Sequence, residues 1–338
     1  MIRSVASTDA VALPTHLTDP RGRRLDYLRL AVTDLCNLRC RYCMPEKGVK
    51  PVSHADILSH EESLRLAELF CGLGVRKIRV TGGEPLVRRG VVPFMAALAG
   101  LTGRPEVLLT TNGLLLERHL DDLVAGGLKR VNLSLDSLDP ATWRRITRRS
   151  GFDDVRRALD AVLQRGLGLK INVVVLAGLN DHELGDFVAL TRELPLTVRF
   201  IEAMPFSGSA GEHSQPLTGD EILGRIGQQF ELEPATVGGS DVARVFRVPG
   251  HVGRVGIIEG HSRSFCGSCN RLRVDARGGL RTCLYGRPVL NLKDMMRGGV
   301  VDGDLATAIV GAVQQRHRDG HQAALHATPG TSMASIGG

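Results

Sequence analysis

Six of the seven cysteines in this 338-residue chain fall into two groups of three. Cys36, Cys40 and Cys43 have the spacing C-x3-C-x2-C, and Cys266, Cys269 and Cys283 have the spacing C-x2-C-x13-C. Thiolates at such intervals hold zinc or iron–sulfur clusters. A four-iron cube fully ligated by protein takes four cysteines, so three leave one iron able to chelate a further molecule. The competing reading is structural zinc, which takes four ligands and pairs of C-x2-C knuckles. At the first triad a fourth ligand would have to be a histidine or a distant cysteine. At the second triad Gly267 and Ser268 let two sulfurs face one metal, and spacing alone does not choose between zinc and a cluster. Cys71 stands apart, in an apolar helical pattern with Leu66 and Phe70, and reads as a buried, inert thiol.

The elements that must position these groups follow in the order of the chain. Residues 1–25 lack periodicity and read as a loose, flexible arm. From Tyr27, strand-like apolar runs (27–33, 77–81, 107–110, 130–135, 170–176, 197–201) alternate with helical patterns near 61–73, 91–100, 117–126, 153–165 and 182–194. Six strands alternating with helices read as βα units around a parallel sheet, and a run such as Ile171–Leu176 fits a sheet buried on both faces. The fold expected is α/β: an incomplete (β/α)6 TIM-type barrel over 26–204. A C-terminal extension, 205–327, would cover its mouth, and a flexible tail, 328–338, would end the chain. Short β pieces are expected at 235–260. The first cysteine loop leaves the C-terminal end of a strand, where barrel active sites form.

A net charge of +7 suits an anionic partner. Aromatic residues make up only 4% and no basic block stands out, which argues against nucleic acid. No apolar segment of the secretory kind follows Met1, and Val91–Leu101 is shorter than the roughly 20 residues a span needs. The expectation is a soluble, cytoplasmic protein with no membrane partner, in which cysteines serve metals or catalysis instead of disulfides. Arg29 and Arg79 occupy strand positions, Arg271 and Arg273 alternate after the second triad, and Lys170 opens the fifth strand run. Guanidinium forks bind phosphate oxygens bidentately, although each cation alone could be a solvated surface charge.

With Tyr42 between its second and third cysteines, the first triad resembles the radical S-adenosylmethionine (SAM) superfamily. The resemblance implies a 4Fe–4S cluster whose open iron binds SAM, and reductive cleavage of SAM to a 5′-deoxyadenosyl radical. It also places Tyr42 beside the SAM adenine. Thr81-Gly82-Gly83-Glu84-Pro85 is a plain turn by itself, but after the next strand it resembles the motif that holds the SAM amino group. Ser134 reads as a helix cap or a sheet filler from its own position, and as a SAM contact from the resemblance. Met204 matches a further SAM position.

Two incomplete triads at the two ends of a βα chain resemble the GTP 3′,8-cyclase family, which opens molybdenum cofactor (molybdopterin) biosynthesis. That resemblance implies two 4Fe–4S clusters, with Cys36, Cys40 and Cys43 at one and Cys266, Cys269 and Cys283 at the other. The second would present an open iron to the guanine of GTP. It places Arg29, Arg79, Thr110, Lys170, Arg271 and Arg273 at GTP contacts. It gives Arg271, Arg273, Gly337 and Gly338 a part in catalysis, the final double glycine reaching toward the active site. The implied lyase-type reaction takes the ribose 3′ hydrogen and joins carbon 3′ to carbon 8, giving 3′,8-cyclo-7,8-dihydro-GTP. An external electron donor would drive it, and the product would pass to cyclic pyranopterin monophosphate synthase. The chain is expected as a monomer or homodimer. The rivals are a peptide-maturing radical SAM enzyme, whose class usually carries more C-terminal cysteines, and a zinc-containing RNA-binding protein.

Overall fold

The computed structural model describes residues 13–49, 52–204, 216–235, 242–262, 264–326 and 332–337. The apolar runs form β1 (Tyr27–Ala31), β2 (Lys77–Thr81), β3 (Glu106–Thr111), β4 (Arg130–Ser134), β5 (Gly168–Val175) and β6 (Leu196–Glu202). These strands pair in parallel in chain order. Parallel neighbours need long crossovers, and helices supply them. They are α1 (His60–Gly72), α2 (Val91–Ala99), α3 (Leu116–Ala125), α4 (Pro140–Thr147), α5 (Phe152–Gln164) and α6 (Leu184–Leu190).

Local chemistry sets the helix ends. Ser59 and Glu62 form a reciprocal capping box at the start of α1. The α1 helix buries Cys71 against the core, and burial pushes that thiol up to about 11. The apolar stretch at 91–101 is a core helix, with Val91, Phe94, Met95 and Leu98 buried. No helix among the described residues is long and apolar enough to cross a membrane. Helix α4 was not expected. Its signal is Asp139 capping the Thr142 N–H with Pro140 next in the chain, and it anchors itself by burying Trp143 and Ile146.

The chain after 204 does more than sit on the six-stranded unit: it lengthens the sheet at both edges. Helix α7 (Gly219–Gly227) leads to β7 (Glu233–Pro234), β8 (Arg244–Arg247) and β9 (Arg254–Ile258). Strand β9 pairs in parallel with β6, and β8 and β7 follow antiparallel. At the other edge β10 (Arg271–Val274) pairs in parallel with β1, followed by β11 (Gly279–Arg281) and β12 (Leu290–Asn291). Among the described residues the result is one 12-stranded sheet. An open edge leaves unpaired N–H and C=O groups, and the extension satisfies them on both sides. Helices α8 (Leu292–Arg297), α9 (Asp302–Gln314), α10 (Gly320–Ala324) and α11 (Met333–Ile336) complete the chain.

Two expectations need correction. The described part of the N-terminal arm is not loose: Leu17 and Leu25 are buried, and Asp19 pairs with Arg23 at 2.6 Å. The described part of the tail is not flexible coil: α11 buries Ala334 and Ile336. In both cases a few apolar side chains reach the core from far away in sequence, which composition does not register. Gly338, residues 1–12, 205–215 and 328–331 lie outside the described residues.

Candidate active site

One cavity opens at the C-terminal ends of β1–β6, and all six triad cysteines line it. The first triad sits in the loop after β1. That loop is held by its own turn, with the Cys43 and Met44 N–H groups donating to the Cys40 carbonyl at 3.0 and 3.1 Å. It is also held by the Gly-Gly turn after β2. The Gly83 N–H donates to the Thr33 carbonyl and the Glu84 N–H to the Leu35 carbonyl, each at 2.8 Å. A Cβ on Gly82 would lie 2.4 Å from the Thr33 oxygen, and one on Gly83 would lie 2.3 Å from the Leu35 oxygen. Only glycine permits this approach of two backbones.

Glu84 is buried at the centre of this join. Its carboxylate accepts from the Leu86 N–H at 3.0 Å, the Thr111 hydroxyl at 2.8 Å and the Asn112 N–H at 2.7 Å. Burial pushes the carboxyl up to about 7 and the three donors pull against it. Asn112 in turn donates to Asn37, next to Cys36, at 2.7 Å. Tyr42 lines the cavity and donates to Asp136 at 2.8 Å. Burial lifts the Asp136 carboxyl to about 6, against hydrogen bonds from the Val174 N–H and Tyr42. Ser134 and Met204 also line the cavity.

The second triad comes from a short 3-10 turn, Ser264–Ser268, from the residue that follows that turn and from the segment after β11. Distant groups fix it. The Arg23 guanidinium donates to the Cys266 carbonyl at 2.7 Å, and Arg316 donates to the Cys269 carbonyl at 3.0 Å. Asp19 lies between these two cations, 2.6 Å from Arg23 and 3.5 Å from Arg316. The Gly320 N–H donates to the Cys266 sulfur at 3.2 Å. None of these four residues was expected at the site, and no local motif marks them.

Register gathers the arginines. Arg273, Arg29 and Arg79 are Cα partners across β10, β1 and β2, and Tyr27 is the partner of Arg271. The Arg29, Arg271 and Arg273 side chains line the cavity, as does Thr110. Burial first, then Arg273, pulls the Arg29 guanidinium well below its ordinary range. Arg79 is buried and does not line the cavity. It donates to the Tyr27 hydroxyl at 2.5 Å and the Leu109 carbonyl at 2.9 Å, with Thr110 Oγ1 at 3.4 Å. Lys170, on β5, also stands off the lining. Tyr27, unexpected here, lies under Arg271, whose guanidinium carbon is 5.3 Å from the ring centroid. Burial alone would raise its phenol; Arg79, Arg29 and Arg271 outweigh burial and bring it to about 7.

The tail closes on the first triad. Ser332 donates to the Cys43 carbonyl at 2.8 Å, and the Ala334 N–H reaches the Cys43 thiol. Gly337 has φ +88°, its carbonyl accepts from Thr81 at 2.9 Å, and a Cβ there would lie 2.7 Å from that of Ala31. It anchors beside the cavity without lining it.

The donor sets fit iron–sulfur clusters and an anionic ligand. All six thiols are free. Among the described residues no three His, Cys, Asp or Glu converge as they would on one metal ion, whereas a cube spreads its thiolates over separate irons. Cys40 and Cys43 are pushed well above the ordinary thiol range and to about 12, chiefly by burial, so their thiolates need an external positive charge. Opposite them Arg29 Nε, Arg271 Nε and Arg273 Nη1 are buried without a hydrogen-bond partner among the described residues. Buried donors of this kind require an acceptor, and a nucleotide phosphate or base carbonyl would provide one.

Residues 30–191 match the radical SAM superfamily and residues 196–322 match Molybdenum Cofactor Synthesis C. The chain is 44% identical over 330 residues to the GTP 3′,8-cyclase of Geobacter sulfurreducens, covering 96% of this chain and 100% of that one. It is 45% identical over 311 residues to molybdenum cofactor biosynthesis protein 1 of Bos taurus, covering 91% of this chain and 49% of the relative. Among solved structures, SuiB of Streptococcus suis bound to S-adenosylmethionine gives a TM-score of 0.58 at 13% identity, over 86% of this chain and 69% of that one. At that identity the likeness speaks for the fold alone.

Proposed function

The chain belongs to the GTP 3′,8-cyclase family of radical SAM enzymes, and from that premise we propose that it converts GTP to 3′,8-cyclo-7,8-dihydro-GTP, the first step toward the molybdenum cofactor. The observation that carries this reading is the shared cavity: both three-thiol sites line it together with Arg29, Arg271 and Arg273. Two 4Fe–4S clusters and SAM serve the reaction, and when bound they supply a 5′-deoxyadenosyl radical that takes the ribose 3′ hydrogen. The rival RNA-binding and peptide-maturing readings give way to the family match.

The chain's own residues hold and orient. Cys36, Cys40 and Cys43 would hold the first cluster, and Cys266, Cys269 and Cys283 the second. Tyr42, Gly83, Glu84, Ser134 and Met204 would position SAM. Glu84 keeps its turn against the cysteine loop and offers carboxylate charge to an ammonium group. Arg29, Arg271 and Arg273 would grip GTP directly, with Thr110 beside them. Arg79 and Lys170 act from behind this layer, Arg79 by fixing Tyr27 and Thr110. Gly337 and Gly338 would set the tail at the cavity wall. A six-unit partial barrel over 26–204, with 205–327 closing its mouth, would keep the radical from solvent.

The remaining parts of the reading are an external one-electron donor, a cytoplasmic setting, a monomer or homodimer, and transfer of the product to cyclic pyranopterin monophosphate synthase. Incubating the reconstituted protein with SAM and GTP deuterated at carbon 3′ tests the reaction. Deuterium is expected in 5′-deoxyadenosine; protium at that position would contradict the proposed abstraction.

A further inference from the structure

A strongly basic face lies behind the first triad, and the chemistry above does not use it. Arg144 and Arg145 end α4, and Arg148 and Arg149 follow. Arg144, Arg145 and Arg149 are exposed. This end of α4 is laced to the cysteine loop: the Arg39 N–H donates to the Thr147 carbonyl at 2.9 Å, and the Arg41 N–H to the Ile146 carbonyl at 3.0 Å. Arg39 and Arg41 flank Cys40, and exposed Lys47 follows Cys43, offset by its neighbour Glu46.

Stability does not account for so many cations. A helix C-terminus favours positive charge, but the gain is confined to the last turn and is screened by salt. Some surface arginines elsewhere meet acids, as Arg165 does Asp121 at 2.7 Å and Arg297 does Glu62 at 2.7 Å, while scattered ones such as Arg76, Arg104 and Arg118 meet none among the described residues; the α4 end differs in that its unpaired arginines are clustered. Among the described residues Arg39, Arg144, Arg145 and Arg149 make no such pair. A face kept for solubility mixes both signs, whereas a face of one sign draws a partner of the other.

We propose that this face docks an acidic electron-carrier protein, which passes single electrons to the first triad through the back of its loop. The inference rests on the reading above that this triad's site is reduced by an external donor. The carrier loses one electron and the site gains it; no bond or proton moves in that step. The cavity is reserved for SAM and GTP, so the donor must come from outside it, and Cys40 is separated from the basic face only by its two flanking residues. A nucleic acid would also seek cations, but this face offers no exposed aromatic for base stacking.

The test uses the full reconstituted chain with Arg144→Glu, Arg145→Glu and Arg149→Glu combined. Stopped-flow bleaching of the iron–sulfur absorbance is followed with two donors, reduced flavodoxin and the small cationic reductant methyl viologen. Binding of flavodoxin to the metal-free chain is measured at low and high salt. The flavodoxin rate and affinity are expected to fall about tenfold or more and to lose their salt dependence, while the viologen rate does not fall. The matching Arg→Gln variant should show a smaller loss of the same kind. A flavodoxin rate within about twofold of the parent, a range outside the tenfold expected of lost steering, would overturn the proposal and leave the face to another anionic partner. Equal losses with both donors would also overturn it. If the parent bleaches with either donor yet never acts on GTP, the functional reading fails and the docking face stands.

Discussion

On the cavity side of the first triad the thiols meet the acids Glu84 and Asp136, with Arg39 acting on Cys36 from within the loop; at the second triad guanidiniums act on Cys269 and Cys283. Burial carries Cys36 to about 11 and Cys43 to about 12, with Glu84 adding to the rise at Cys36 and Asp136 at Cys43. Burial raises Cys266 and Cys283 as well. Cys269 differs: burial would raise it, but Arg316, Arg271 and Arg273 prevail and hold it below the ordinary thiol range. On the proposed reading, the contrast would sort two ligands by charge within one cavity. SAM carries a sulfonium and an ammonium group and suits the side with Glu84 and Asp136. GTP carries a polyanion and suits the side with Arg29, Arg271 and Arg273. Opposite fields let one chamber seat both without a dividing wall.

The strongest way to break this comparison is to remove one thiol from each side. Cys40→Ala should abolish 5′-deoxyadenosine formation. Cys269→Ala should abolish cyclised product while the first site still binds SAM. Either change should lower iron from about eight to about four per chain, and equal loss of SAM binding in both variants would erase the distinction. Next in size is the tail: deleting Gly337 and Gly338 should abolish cyclisation with iron content unchanged. Unchanged turnover would show that the tail is not part of the site.

Smaller effects sharpen the electrostatic half. Arg316→Gln removes a cation beside Cys269, so that thiol's pKa should rise. In the metal-free chain its iodoacetamide labelling near pH 7 should slow severalfold while Cys43 is unaffected. Equal rates at Cys269 with and without Arg316 would contradict the assignment. The smallest effect is at Tyr27. Its phenol is lowered from 10.0 to about 7, so the folded state favours the phenolate. The stability this gives is fully present above about pH 10 and is lost as pH falls through about 7. One of the chain's three tyrosines should therefore show a phenolate absorbance step near neutrality. Tyr27→Phe should lose both that step and the gain in urea resistance between about pH 7 and 10.

The six central strands were legible from short apolar-rich runs between helical patterns, and their observed bounds shift by at most a few residues from those runs; β5, however, alternates buried and half-buried residues instead of being buried on both faces. Both triads were legible because metal ligands are concentrated in short spacings. The i, i+2 alternation of Arg271 and Arg273 correctly put both on one face. What stayed hidden depends on distance along the chain. Asp19 meets Arg316 across 297 residues, and Arg23 meets Cys266 across 243; neither pair leaves a local pattern. Helix α9 and the edge strands β11 and β12 were missed for a similar reason, since they gain their stability from an edge of the sheet formed near the other end of the chain. Arg79 was rightly placed on its strand, but only the side-chain positions reveal that it supports Tyr27 instead of lining the cavity.

The central claim is that the first triad generates the radical and the second, with its arginines, fixes its target. Anaerobic incubation of the reconstituted protein with SAM and a reductant, with and without GTP, tests it most directly. The account predicts 5′-deoxyadenosine and cyclised nucleotide in step when GTP is present and little of either without it. Release of 5′-deoxyadenosine at the same rate whether or not GTP is added would contradict it.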